Sequence, residues 1–294
     1  MAFSSVKNLL DAAKTKNLSL WETILEDDML DRGVSRESSV KQMQALWDAM
    51  KSASENYSPQ ARSSSGLVGG DGAKMQAFEG SEDSIGGPFF DRVITEALRM
   101  GESNACMKRI VAAPTAGSCG VLPAVLIPLS ERGNISDEVI VQSLFVAAGF
   151  GQVIAARASI SGAEGGCQAE IGAASAMAAA ALVSIKKGTP EMSANACAMA
   201  LMNLLGLVCD PVAGLVEIPC VKRNVVGAVN AVSCADMALA GIDSRIPPDE
   251  VIDAMRSVGD MMPCALRETG QGGLATTPSG IAAAKKLQTS ISNG

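Results

Sequence analysis

The 294-residue chain contains no histidine. That absence argues against most zinc sites, and it removes the side chain that most readily takes up a proton near neutral pH. Acid–base chemistry must then fall to a lysine, a carboxylate or a hydroxyl, or to a residue borrowed from another chain. Aromatic residues make up only 3% although 48% of the chain is hydrophobic, so much of the apolar content is alanine, which suits closely packed helices. There is no basic excess. A formal net charge of −7 and a pI near 4.8 leave no cationic surface for nucleic acid. The longest apolar stretch, Ile171 to Ile185, is mostly alanine and shorter than a membrane span usually requires. Met1 to Lys16 mixes Lys7, Asp11 and Lys14 among short apolar runs, which is not the pattern of a signal peptide. With no export signal, the eight cysteines read as reduced thiols or metal ligands in the cytoplasm rather than as disulfides.

Three of those cysteines stand out. Cys167 lies in Gly-Ala-Glu-Gly-Gly-Cys, Cys209 in Val-Cys-Asp-Pro-Val and Cys220 in Val-Glu-Ile-Pro-Cys, at separations of 42 and 11 residues. Each is flanked by Gly or Pro, whose backbone preferences suit turns from which side chains can meet in a shared pocket. Thiolates favour zinc, Cu(I) or iron–sulfur clusters, so a metal site and a set of small buried core residues are both open on spacing alone. Cys197 and Cys234 differ, lying among Ala and Met inside helical stretches, and read as core.

Helix signals recur along the chain and strand alternation barely appears. Ser19-Leu20-Trp21-Glu22 is a capping box predicting a helix through Leu30, and Ser35 caps a second with Val40, Met43, Leu46, Trp47 and Met50 on one face. Gly87-Pro88 opens a helix that Gly101 is expected to stop, and Ser136-Asp137-Glu138 caps another. Two helices fit between Cys167 and Cys209, divided at Lys186-Lys187-Gly188 and restarted by Thr189-Pro190-Glu191. Folded back as an antiparallel hairpin, they bring Cys167 and Cys209 to the same end. Further helices are expected from Val221 to Gly241, from Pro248 to Gly259, and after Thr277-Pro278. The pattern predicts an all-α protein: a helical lead-in over residues 1–60 and one catalytic domain over 61–294.

Two turns of small residues interrupt the helices. Ala61 to Gly72 holds three serines and four glycines, and reads either as a flexible linker or as a turn whose N–H groups converge on an anion. Ala112 to Gly120 leads into a helix N-terminus, a position suited to a carboxylate.

The segments S-G-A-E-G-G-C-Q-A-E-I-G, G-L-V-C-D-P-V-A-G-L-V-E-I-P-C-V-K-R-N and R-E-T-G-Q-G-G-L-A resemble the bacterial iron–sulfur L-serine dehydratases, most of all the separate alpha chain of the two-chain type. The resemblance runs from about Ser64 to Leu274. It implies an oxygen-sensitive [4Fe-4S] cluster held by Cys167, Cys209 and Cys220, with the fourth iron lacking a protein ligand and acting as a Lewis acid on the serine hydroxyl. It also implies a helical domain built around that cluster. The family patterns S-G-L-x-G-G-D-x-x-K and A-P-T-x-G-x-C-G recur at Ser65 to Lys74 and at Ala113 to Gly120. They place Ser65 and Thr115 at the substrate carboxylate, with Ser64, Gly117, Arg267 and Thr269 as further contacts. Cys119 matches the second pattern, which leaves a fourth ligand open. Lys74 and Glu164 are the candidate bases, because each sits inside a matched motif. A second, regulatory beta chain and a hetero-oligomer are implied as well. Two other readings stay open: a pyridoxal-phosphate lyase with Ser63 to Gly70 as its phosphate loop, and a non-catalytic iron–sulfur carrier or sensor.

Overall fold

A computed structural model describes residues 3–133 and 135–292, and within them the fold is helical. Three helices lead in: α1 (Val6–Lys16), α2 (Leu20–Arg32) and α3 (Arg36–Glu55). The capping box is present, with Ser19 accepting from the Glu22 N–H and the Glu22 carboxylate accepting from the Ser19 N–H. The first helix was not foreseen; its N-terminus is held by the Asp249 carboxylate, which accepts from the Val6 and Lys7 N–H groups at 2.8 and 3.0 Å. On α3, Trp47 and Met50 are buried as the spacing predicts, but Leu46 is exposed. Trp47 donates to Asp137 at 2.8 Å and ties α3 to the helix that begins at Asp137.

Then follow α4 (Asp71–Phe78), α5 (Gly87–Ala105), α6 (Val121–Glu131), α7 (Asp137–Arg157) and the single turn α8 (Gly162–Gly165). A π-helical turn, Gln168–Gly172, runs into α9 (Ala173–Ile185), and α10 (Pro190–Met202) returns antiparallel to it. The chain ends with α11 (Cys220–Leu239), α12 (Pro248–Met261) and α13 (Pro278–Ser292). The expected breaks at Lys187 and Thr189 are where they were placed: Lys187 is left-handed at φ 60° and Thr189 caps α10. Gly101 does not stop α5, which continues to Ala105. Its missing side chain serves contact instead, since a Cβ there would lie 3.1 Å from the Val221 Cα on α11.

The centre of the molecule is α9, whose residues are buried almost without exception, surrounded by α6, α7, α10 and α11. Alanine makes this arrangement work by letting helix axes approach closely. Helices α1 to α3 add Leu9, Leu25 and Trp47 to the same core. Two apolar helical stretches, Asp137–Arg157 and Gln168–Ile185, are long enough to cross a membrane by length and hydropathy, longer than the sequence reading allowed. The most apolar window of each is 67% and 89% buried against other helices, as core helices are.

Gly227 on α11 sets the spacing to α6 and the π turn. A Cβ there would lie 2.9 Å from both Ile171 Cγ2 and Val121 Cγ2. Gly227→Val gains a few tenths of a kcal/mol in helix propensity, but overpacking of this kind costs about 1–3 kcal/mol. The variant should therefore unfold at lower denaturant than the parent; an unchanged or higher midpoint would show that the contact is slack.

Candidate functional site

The α9–α10 hairpin brings the cysteine loops together. The Gln168 N–H donates to the Leu207 carbonyl at 2.9 Å, and the Gln168 side chain accepts from the Gly206 N–H and donates to the Met255 carbonyl, both at 2.9 Å. Cys167 is thereby fixed beside the segment entering Cys209. An isolated parallel β-bridge joins Cys209 to Arg267: Cys209 N–H donates to Leu266 O at 2.8 Å and Glu268 N–H to Cys209 O at 2.7 Å. Past Asp210, the Val212 N–H reaches Ile218 O at 2.9 Å and closes the loop that ends at Cys220, the first residue of α11.

All three sulfurs are enclosed, and they act on one another electrostatically. Burial pushes the Cys167 and Cys220 thiols up to about 12, and Cys209 higher still, where Cys167, Glu170 and Cys220 add repulsion. Arg223 opposes this at Cys167 and Cys220 through its charge. Cys119 stands apart. Its sulfur faces the Met100 carbonyl on α5 at 3.7 Å, and burial alone pushes its thiol up to about 12. Cys197 and Cys234 are buried in α10 and α11, as their surroundings predict. Among the described residues, no three His, Cys, Asp or Glu side chains converge tightly enough for a single ion. A polynuclear cluster makes a different demand, because each thiolate then binds a different iron. Three enclosed thiols that resist ionisation, with a guanidinium beside one of them, fit such a group: a bound cationic metal reverses the preference for the neutral thiol.

Glu170, three residues after Cys167, is a residue that the motif contains and sequence reasoning passed over. The π turn carries it toward the thiols, and π turns recur at functional sites. Thr115 Oγ1 donates to Glu170 Oε1 at 2.7 Å. Two glycines make room for the carboxylate: a Cβ on Gly117 would lie 2.9 Å from Oε1, and one on Gly162 would lie 2.8 Å from Oε2 and 3.0 Å from Cys209 Sγ. Burial raises the carboxyl above its ordinary range, and the Thr115 hydrogen bond works against that shift. Glu268, left-handed at φ 64°, adds like charge. Asn224 fastens the Thr115 turn to α11, accepting from Gly120 N–H and donating to Gly117 O, both at 2.8 Å, and to Cys220 O at 3.0 Å.

The serine-rich turn is occupied by the chain's own acids. Ser63 donates to Glu217 at 2.7 Å, Ser65 donates to the same Glu217 oxygen, and the two hydroxyls accept from Val68 and Leu67 N–H groups. The N–H groups that open α4, on Asp71 and Gly72, donate to Glu102 at 2.7 and 3.2 Å. The anion positions read from composition are real, but Glu217 and Glu102 fill them. Ser64 is exposed. The Lys74 side chain is 78% exposed and paired with Asp71 at 2.9 Å, so the burial that a lysine base needs is not provided by this chain.

Glu164, Arg267 and Thr269 line a cavity of about 660 Å³ between α8, α12 and the loop after it, together with Cys264 and Arg256. Arg267 donates to the Glu164 carbonyl at 3.4 Å and Thr269 to the Cys264 carbonyl at 3.1 Å. The Glu164 to Ala169 segment borders this cavity, but the three thiols and Glu170 do not line it. This cavity is thus a neighbour of the thiol centre and not the centre itself. Of the residues singled out from sequence, Thr115 and Gly117 meet Glu170, Ser65 is bonded to Glu217 three residues before Cys220, and Glu164, Arg267 and Thr269 line the neighbouring cavity.

A model of the serine dehydratase alpha chain family matches residues 15–275. Over 285 residues the chain is 50% identical to the probable L-serine dehydratase, alpha chain, of Bacillus subtilis, which covers 97% of this chain and 95% of the relative. It is 41% identical over 278 residues to the L-serine dehydratase, alpha chain, of Peptoniphilus asaccharolyticus, covering 94% and 95%. With L-serine dehydratase 1 of Escherichia coli it shares 42% identity over 181 residues, which is 61% of this chain and 40% of that one.

The enclosure of the thiols has a direct readout. Alkylation proceeds through the thiolate, and a thiol titrating near 12 stays protonated through the neutral range. In the folded, metal-free chain at pH 8, iodoacetamide should label exposed Cys264 first and leave Cys167 and Cys220 unmodified until the pH approaches 12 or the chain unfolds. Peptide mass spectrometry follows each site; labelling of Cys167 ahead of Cys264 would contradict the burial.

Proposed function

This chain belongs to the serine dehydratase alpha chain family, and from that premise we propose that it removes water from L-serine, with a [4Fe-4S] cluster held by Cys167, Cys209 and Cys220. The observation that carries the reading is the convergence of three enclosed thiols beside one carboxylate, Glu170, that Thr115 and two glycines hold in place. The cluster, when bound, supplies a Lewis acid for the departing hydroxide.

The chain's own groups account for the rest. Glu170 takes the Cα proton: its Oε1 is oriented by the Thr115 hydroxyl, and burial brings its proton affinity closer to the working pH than that of a solvated carboxylate. The electron pair left on Cα forms the double bond as hydroxide departs. The resulting enamine tautomerises and hydrolyses to pyruvate and ammonia. Gly117 and Gly162 exclude side chains from both faces of the carboxylate and keep a small substrate's approach open. This assignment replaces Lys74 and Glu164, which are exposed. The pyridoxal-phosphate reading is disfavoured, because Glu217 occupies the turn it would need for phosphate.

A second, beta chain completes the enzyme in this reading. Relatives of nearly full coverage are named as alpha chains, and the Escherichia coli relative extends well beyond its matched 40%. A partner lying over Glu268 and the Thr115 turn would exclude water from Glu170.

Cys167→Ser, Cys209→Ser and Cys220→Ser should each lose the iron bound after anaerobic reconstitution, whereas Cys119→Ala, Cys197→Ala and Cys234→Ala retain it. Glu170→Gln should keep its iron and lower pyruvate formation by about 10²–10⁴-fold, with the second chain present throughout. Normal iron in Cys209→Ser would overturn the ligand set. A full rate in Glu170→Gln would overturn the base.

A further inference from the structure

Arg223 touches the surroundings of all three cysteines. It stands on α11 one turn after Cys220. Its Nη1 donates to the Val208 carbonyl at 2.7 Å and its Nη2 to Asp210 Oδ1 at 2.8 Å, the residues on either side of Cys209. The charge of the same guanidinium acts on the Cys167 and Cys220 thiols. Both charged partners are enclosed, with side chains 13% and 4% exposed. Asp210 in turn accepts from the Leu274 N–H at 2.8 Å, and a Cβ on Gly273, which is left-handed at φ 59°, would lie 2.3 Å from Asp210 Oδ2. The glycine-rich loop after α12 is thereby seated on the same pair.

An ordinary buried ion pair would need only Asp210. Here one planar fork spends its donors on a carbonyl and a carboxylate on either side of one ligand, from a helix that begins at another, and its charge acts on the third. A lysine, with a single compact charge, cannot span those directions. Hydrogen bonds to sulfur and nearby charge are also what set the reduction potential of an iron–sulfur cluster.

We propose that Arg223 is the positioning residue of the thiol centre, locking the Cys209 loop to the Cys220 helix and, with Asp210, setting the electrostatic environment of the group the thiols hold. The proposal rests on the cluster reading above, and the two fail differently.

The test uses the full chain with its second chain, reconstituted anaerobically with iron and sulfide, in parent, Arg223→Lys, Arg223→Gln and Asp210→Asn forms. Iron retention against a chelator and the midpoint potential of the cluster are both measured. Loss of the fork should weaken metal hold about 10- to 100-fold in Arg223→Gln, the usual effect of removing a group that orients ligands, and Arg223→Lys should recover only part of it. The potential should fall in Arg223→Gln, where positive charge beside the sulfurs is gone. It should stay near the parent value in Arg223→Lys and rise in Asp210→Asn, where the guanidinium is left unbalanced. A purely structural pair would loosen the metal in all variants without moving the potential in opposite directions. Parent-like retention and potential in Arg223→Gln, or shifts of the same sign in Arg223→Gln and Asp210→Asn, overturn the proposal. If Arg223→Gln does not fold, the other two variants decide: weakened retention with a parent-like potential in Arg223→Lys and a raised potential in Asp210→Asn support the proposal, and a parent-like or lowered potential in Asp210→Asn overturns it. A parent protein that binds no cluster overturns the functional reading instead.

Discussion

The return of the α9–α10 hairpin is the constraint on which the site depends. It sets Gln168 beside Leu207, with main chain and side chain both engaged, and only then do Cys167 and Cys209 share a pocket despite 42 intervening residues. The hairpin can close so tightly because its first helix is largely alanine. Larger side chains on α9 would push α7, α10 and α11 outward, and Cys220 and Arg223 would move away with α11. Composition and chemistry are therefore linked: the scarcity of aromatics is what lets helix ends from distant parts of the chain meet at one point.

Carboxylates organise the turns around that point. Glu217 gathers Ser63 and Ser65, Glu102 takes the first N–H groups of α4, Asp210 gathers Arg223 and Leu274, and Glu170 takes Thr115. Each acid satisfies donors that a glycine-rich loop would otherwise expose to water or bury unpaired. Glu217 lies three residues before Cys220, so the serine turn is referred to the thiol centre through it. Loops of this composition have little intrinsic order, and the internal acids supply it.

The helical architecture was legible because capping and stop signals are local. Ser19, Ser35, Ser136, Thr189 and Lys187 act within a few residues of themselves, and the structure uses them as the sequence suggests. Gly101 misled because a glycine that ends a helix and one that admits a neighbouring backbone look identical in sequence; Val221, which distinguishes them, lies 120 residues away. The meeting of Cys167 and Cys209 followed from hairpin geometry. Glu170 did not, because the π turn that aims it has no signature in a 3.6-residue period. The fate of the serine hydroxyls was hidden for a related reason: composition shows that donors are present, not that Glu217 reaches them first.

Charge explains why such a centre is stable before anything binds to it. If all three thiols ionised, they would face Glu170 and Glu268 with Arg223 as the cation acting on them, and Arg223 is already balanced by Asp210. Burial resolves this by holding the sulfurs protonated, and it also raises the Glu170 carboxyl above its ordinary range. A cationic group bound to the sulfurs reverses the preference for the neutral thiol: the thiols ionise and their protons leave. Because the thiols begin protonated at any pH well below 12, loading must expel protons, and apparent metal affinity must decline as the pH falls.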